Sequence, residues 1–170
     1  MPIGRVLLTQ AQIRKRVREL GHSLNRHYRG QQPIIIGVMN GALFFLADLL
    51  RAIDLGDAEI SCLRLASYAG KKRTGQIRGL DALDQSVAGR PVLIVDDILD
   101  TGQTLVALVK RLKKLGASEI KTCVLLEKRR PRKVSHKPDW VGFRIANEFV
   151  VGYGLDYNSR YRTLRQIRVL

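Results

Sequence analysis

Cysteine is almost missing from this chain: Cys62 and Cys123 are the only two among 170 residues. Both sit in apolar runs that read as strands. The sequence therefore predicts buried, reduced thiols, not a disulfide framework or a metal centre, which needs closer, paired ligands. Long apolar runs are also missing. None approaches the roughly 20 residues that a membrane-crossing helix requires, and no signal-peptide apolar segment follows the basic N-terminal residues. The expectation is a cytoplasmic protein with no membrane partner. There is no internal repeat, no low-complexity tract and no Pro/Gly-rich linker, so residues 1–170 read as one domain with a sizeable core. Acid is scarce as well: 15 Asp and Glu stand against 30 Lys and Arg, a formal net charge of +15. Such a surface attracts polyanions. It suits an enzyme with highly anionic substrates, and charge alone predicts weak, nonspecific nucleic-acid binding. The three histidines, His22, His27 and His136, read as surface residues.

What is present alternates between strand and helix patterns. Thr9 is placed to cap a helix running to about Tyr28, with Ile13, Val17, Leu20 and Leu24 on one face. Pro33 to Val38 reads as a short buried strand, Met39–Asn40–Gly41–Ala42 as a turn, and Leu43 to Ile53 as an apolar helix. Glu59 to Ser67 is a second strand, reaching Tyr68. Ala69 to Leu80 is polar and Gly-rich, with Lys71, Lys72 and Arg73, and reads as a mobile loop. Further strands are predicted over Glu119–Leu126, Val141–Ile145 and Phe149–Tyr153, with a last edge strand over Ile167–Leu170. The alternation predicts an α/β fold: a mainly parallel sheet with helices on both faces. Ligands of such sheets bind beyond the carboxyl ends of the strands.

One segment stands out. Val92–Leu93–Ile94–Val95 reads as a buried parallel strand. Asp96 and Asp97 follow at its carboxyl end, then Asp100–Thr101–Gly102–Gln103–Thr104, then a helical pattern ending near Gly116. The first N–H groups of a helix have no internal partner and can point at an anion. Gly102 lets the backbone approach closely, and Thr101 and Thr104 add hydroxyl donors. Asp96 and Asp97 would repel a bare phosphate, so they call for a divalent metal, a sugar diol, or both. An Asp at position 100 also suits a plain helix cap.

This strand, its paired acids and the Asp-Thr-Gly-Gln-Thr turn closely resemble the phosphoribosyl-pyrophosphate signature of type I phosphoribosyltransferases. Further motifs narrow the resemblance. Ser67–Tyr68, Leu125–Leu126–Glu127–Lys128–Arg129, Lys137–Pro138–Asp139–Trp140–Val141–Gly142–Phe143, Phe149–Val150–Val151–Gly152–Tyr153–Gly154–Leu155–Asp156–Tyr157–Asn158 and Arg162 are together similar to the hypoxanthine-guanine branch. The resemblance implies the type I fold with a small hood. It also implies Mg²⁺-dependent transfer of a phosphoribosyl group from phosphoribosyl pyrophosphate to an oxopurine, in a homodimer or homotetramer.

The resemblance also implies roles. The turn from Asp100 to Thr104 cradles the ribose 5-phosphate. Asp96 and Asp97 meet the ribose hydroxyls, directly or through Mg²⁺, and Asp100 is the general base for purine N7. Lys128 donates to the purine 6-oxo group, Phe149 stacks on the base, and Val150 offers backbone groups to the purine edge. Asp156 helps to hold a second Mg²⁺ near the pyrophosphate and lies near the contacts that read the purine 2-position. Asn40, Gly41 and Arg162 hold the pyrophosphate. Ser67 and Tyr68 open a lid that excludes water.

The chain departs from the family at Asn40, where many relatives carry a basic residue in a turn that can hold a non-proline cis peptide. Two other readings remain: an RNA-binding, attenuator-type regulator on the same fold, and a xanthine-preferring transferase.

Overall fold

The computed structural model describes residues 3–67, 77–79, 87–132, 134 and 136–170. Tyr68 and the basic residues Lys71, Lys72 and Arg73 lie outside the described residues. Five strands form the main sheet: β2 (Ile34–Met39), β3 (Glu59–Arg64), β6 (Pro91–Leu99), β7 (Glu119–Lys128) and β8 (Trp140–Ile145). Their order is β3-β2-β6-β7-β8 and every pairing is parallel. All five carboxyl ends therefore open on one side.

Alternation along the strands builds two cores. Ile35 of β2 and Leu93 and Val95 of β6 face helices α1 (Gln10–His27) and α2 (Leu43–Ala52). Ile34 and Ile36 of β2 and Val92 and Ile94 of β6 face α3 (Gln103–Lys114). Burial on both faces explains why the central strands read as unbroken apolar runs. Helices thus cover both faces, as expected.

A smaller antiparallel sheet forms the hood, with the order β1-β10-β9: β1 (Val6–Leu8), β10 (Ile167–Val169) and β9 (Val150–Val151). β1 carries no predicted counterpart, because three residues give no readable period. A short antiparallel pair, β4 (Ala66–Ser67) with β5 (Ile77–Arg78), flanks the residues that are not described.

Three expectations are corrected. Cys123 is buried, but Cys62 is exposed. Its strand β3 is the sheet edge, with Glu59, Ile60, Cys62 and Arg64 all exposed. The strand carrying the acids does not stop at Val95. It runs to Leu99, because β7 continues to pair alongside it as far as Glu127. His27 and His136 are not free surface residues. His27 bonds Glu119 at 2.9 Å and lies edge-on to Trp140, and His136 bonds Thr122 at 3.1 Å. Partial burial lowers the proton affinity of His136.

Thr9 caps α1 as predicted, through a reciprocal capping box with Gln12. Gly21 lets α1 meet α2, since a Cβ there would lie 2.5 Å from the Ala52 carbonyl oxygen. Helix propensity alone would make Gly21→Ala stabilising by about 1 kcal/mol. The overlap is with backbone, which yields little, so a net loss of about 1–3 kcal/mol is expected. A urea denaturation midpoint above that of the parent chain would refute this.

Candidate active site

The site grows from the carboxyl ends of β2, β6 and β7. Asp96 and Asp97 lie in the second half of β6. Asp96 is buried, and its Oδ1 accepts the Asp97 backbone N–H at 2.9 Å. Burial raises the proton affinity of both carboxyls, and the adjacent Asp97 charge adds to the rise at Asp96. The positive field of Arg162 partly offsets the rise at Asp97. Two adjacent acids short of compensating charge form a place for a cation or for hydroxyl donors.

Two residues on, the chain leaves the strand and starts α3. Gly102 takes the N-cap position at φ 80°, and no side chain caps the helix. A side chain at that φ is strained, and a Cβ would also press on Val134 at 3.1 Å. The first bond within α3 runs from the Val106 N–H to the Gly102 carbonyl. The N–H groups of Gln103, Thr104 and Leu105 precede it and point out of the helix end. Among the described residues, only that of Gln103 has a side-chain acceptor, Thr101 Oγ1 at a long 3.5 Å. Thr101 and Gln103 are exposed and Thr104 is half-buried, so the turn is an open anion cradle.

Asp100 is not the helix cap. Its Oδ2 accepts from Lys128 Nζ at 3.0 Å and its Oδ1 from Arg130 Nη1 at 2.8 Å. Lys128, the last residue of β7, is buried, although the basic run to which it belongs looks solvated in the sequence. The following turn is tightly held: the Lys128 carbonyl accepts both the Arg130 N–H and the Arg132 guanidinium. Arg132 and Arg144 both bond Glu127.

On the other side lies the turn after β2. The Met39–Asn40 peptide is cis. Asn40 is exposed. A Cβ on Gly41 would lie 1.8 Å from Asp97 Oδ2, so only glycine fits there. Gly154 in turn packs on Gly41, where a Cβ would lie 2.0 Å from the Gly41 carbonyl oxygen. Arg162 closes this corner. Its Nη1 donates to the Gly154 carbonyl at 2.6 Å, and its Nη2 pairs with Asp156 Oδ1 at 2.7 Å. The other oxygen of Asp156 accepts the Ser159 N–H. Among the described residues no three His, Cys, Asp or Glu side chains form a metal-holding group. Asp96 and Asp97 are therefore a pair, and Asp156 does not complete them.

Phe149 is not core: the residue is 51% exposed, and its ring lies perpendicular to that of Tyr157, at 5.7 Å between centroids. Val150 is buried and faces Val169 across the hood. Val169 gives its N–H to Arg5 on the far side. Val150 and Val169 are thus a non-hydrogen-bonded pair, and the Val150 N–H and carbonyl point outward. The Ser67 backbone pairs in the β4–β5 hairpin.

Sequence reasoning missed Arg130, Arg132 and Gly154. The first two are hidden in a charge run. Gly154 answers only to a contact across 113 residues of chain, from Gly41.

The phosphoribosyl transferase domain matches residues 6–158, and the chain belongs to that family. It is 43% identical to the hypoxanthine-guanine phosphoribosyltransferase of Bacillus subtilis over 169 residues, 99% of this chain and 93% of that one. The structure of hypoxanthine phosphoribosyltransferase from Trypanosoma cruzi, in complex with the product IMP, matches with a TM-score of 0.89 at 37% identity, covering 99% of this chain and 94% of that one. Within the family, its likeness is to the hypoxanthine-guanine branch. It is also 42% identical over 169 residues to the bifunctional protein TilS/HprT of Listeria innocua, of which it spans only 26%.

The acid pair yields a stability prediction. Below the ordinary Asp range, near pH ~3.9, both states are protonated and the pair has no effect. Above the raised native value, folding must bury charge that the unfolded chain exposes to water, so stability falls as pH rises through that window. Asp96→Asn should therefore stabilise the metal-free protein at pH 8, by about 1.4 kcal/mol per unit of raised pKa. The gain should vanish on acidification. A gain that grows toward low pH would contradict the assignment.

Proposed function

We propose that this chain transfers the 5-phosphoribosyl group of phosphoribosyl pyrophosphate to hypoxanthine or guanine, giving IMP or GMP and pyrophosphate. The observation that carries this reading is the pairing of Lys128 with Asp100 at 3.0 Å, one residue from the anion cradle. A 6-oxopurine presents an acceptor, O6, beside N7, which carries a proton in the attacking tautomer. A cationic donor and a carboxylate side by side complement that edge. A 6-aminopurine would turn its amino donor toward Lys128, leaving two donors face to face, so the pair selects oxopurines.

The residues divide the work. The N–H groups at Gln103, Thr104 and Leu105, with the Thr101 and Thr104 hydroxyls, hold the ribose 5-phosphate. Asp96 and Asp97 receive the ribose hydroxyls. Phe149 stacks on the purine, and the outward backbone groups of Val150 read its edge. As the bond from C1′ to the pyrophosphate oxygen breaks, its electron pair leaves with pyrophosphate. Arg162 and the backbone at Asn40 and Gly41 stabilise that charge. The purine N9 lone pair forms the new bond to C1′, and Asp100 takes the N7 proton.

The donor set fits Mg²⁺: Asp96 and Asp97 would hold it through carboxylate oxygens, and a cation there would relieve the charge of the pair. Mg²⁺ would neutralise pyrophosphate charge and orient the sugar diol. Asp156, already held by Arg162, contributes to a second Mg²⁺ only by exchanging that partner. Asn40 brings no cation to the pyrophosphate turn, which places more of the leaving-group charge on Arg162 and metal. Ser67 opens the lid segment. The reading also carries a cytoplasmic homo-oligomer. Exposed Leu43, Phe44 and Ile60 are apolar surface that a second copy would cover.

Incubation with phosphoribosyl pyrophosphate, Mg²⁺ and each oxopurine in turn, followed by absorbance, tests the reading. Nucleotide should form with hypoxanthine or guanine and not with adenine; no product with either oxopurine overturns it. Asp100→Asn should slow nucleotide formation by roughly 10²–10⁴-fold, and near-normal turnover would remove Asp100 as the base. Phe149→Ala should weaken purine binding by about 1–3 kcal/mol, read by calorimetry. An unchanged purine Kd would end the stacking assignment.

A further inference from the structure

We infer that Arg130 is the positioning residue that aims the Asp100 carboxylate at the purine, a role that rests on the reading of Asp100 above. Both carboxylate oxygens are engaged, and by different cations: Lys128 Nζ holds Oδ2 at 3.0 Å and Arg130 Nη1 holds Oδ1 at 2.8 Å. A base needs one oxygen free. The two partners are not equivalent in this respect. Lys128 has a second acceptor to move to, because the incoming purine brings O6. When the Lys128 ammonium shifts to O6, it uncovers Oδ2, the oxygen beside N7. Nothing in the purine draws Arg130 away, so Oδ1 stays held and the carboxylate plane stays fixed while Oδ2 receives the proton.

The surroundings make Arg130 suitable for this task. Its backbone N–H is tied to the Lys128 carbonyl at 3.1 Å, and the same carbonyl takes the Arg132 guanidinium at 2.9 Å. The Arg129 N–H is tied to the Ile145 carbonyl of β8 at 2.8 Å. Arg132 is fixed in turn by Glu127 at 2.9 Å. Arg130 therefore projects from a pinned turn, not from a free loop. Val134, further along, lies where a Cβ on the cradle glycine Gly102 would come within 3.1 Å of it, so this segment runs close to the phosphate turn. A guanidinium at a fixed position gives a directional hold, whereas a lysine supplies a point charge on a flexible stem. The residue at 128 must move and the one at 130 must stay, and the two side chains differ accordingly.

The test uses the full chain with Arg130→Met and Arg130→Lys. Arg130→Met should lower kcat by roughly 10–10²-fold, the scale of a misaimed catalytic group, with the KM for phosphoribosyl pyrophosphate unchanged. Arg130→Lys should recover part of the loss. A crystal structure of Arg130→Met without ligands should show Asp100 turned from Lys128 or split between rotamers. An unchanged kcat overturns the proposal. So does a raised KM for phosphoribosyl pyrophosphate with kcat retained, which would make Arg130 a phosphate ligand. A thermal melt of each variant identifies a folding defect. If Arg130→Met fails to fold, Arg130→Lys decides: its purine KM should hold while kcat drops, and equal losses in both would refute positioning. If the parent chain makes no nucleotide, the function reading fails separately, and the Asp100 rotamer still decides whether Arg130 orients it.

Discussion

The site depends on a place where no side chain fits. Gly41 ends the turn after β2, and a single carbon there would overlap the Asp97 carboxylate. Gly154 of the hood stacks on Gly41 just as closely. Three segments distant in sequence therefore meet at Gly41: its own turn, the Asp97 carboxylate and the Gly154 backbone. This contact brings Arg162, which bonds the Gly154 carbonyl, within electrostatic reach of Asp97. If a side chain forced the segments apart, the cation opposite the acid pair would move with the hood. The parallel sheet sets the strand ends side by side, but these two glycines close the last few ångströms.

The electrostatics run against the rest of the molecule. The chain carries a formal charge of +15, yet at the strand ends it encloses two adjacent acids, Asp96 buried and Asp97 half-buried. Burial chiefly raises the proton affinity of both, with the Asp97 charge adding to the rise at Asp96, a cost that stability alone would not select. The third acid of the segment is treated in the opposite way: Asp100 has one cation on each oxygen. The end of β6 and the residue after it thus present two chemistries, with Asp100 only three residues beyond Asp97. The first is a pair that seeks a cation or hydroxyl donors; the second is a single carboxylate held in a fixed orientation.

Much of this was legible in the sequence because the informative features are local. The strand, the acids and the Thr-Gly-Gln-Thr helix start lie within fifteen residues, and the structure arranges them as their order suggests. The capping box at Thr9 is local as well. Features that depend on pairing partners were not legible. β1 is recognisable only from β10, to which it is bonded. Cys62 looks buried because its neighbours are apolar, but β3 has a sheet neighbour on one side only. The strand β6 outlasts its apolar run because β7 continues beside it. Phe149 shows the reverse case: a strand-like aromatic just before β9 whose carbonyl accepts the Leu170 N–H while the residue remains exposed.

The basic run from Lys128 to Arg132 shows where composition misleads. A cluster of cations in sequence ordinarily means a solvated face, with the side chains pointing away from one another. Here the turn sorts them by direction. Lys128 is buried and points to Asp100, Arg130 meets the same carboxylate from the open side, and Arg132 folds back onto Glu127 and the Lys128 carbonyl. Each acid within reach, Asp100 and Glu127, takes two cations. Acids are scarce, so each cation is placed by the few carboxylates available, and the excess of base over acid becomes a means of orientation. Three cations at alternate positions thus take three different surroundings: one buried against Asp100, one on its open side, and one tied to Glu127.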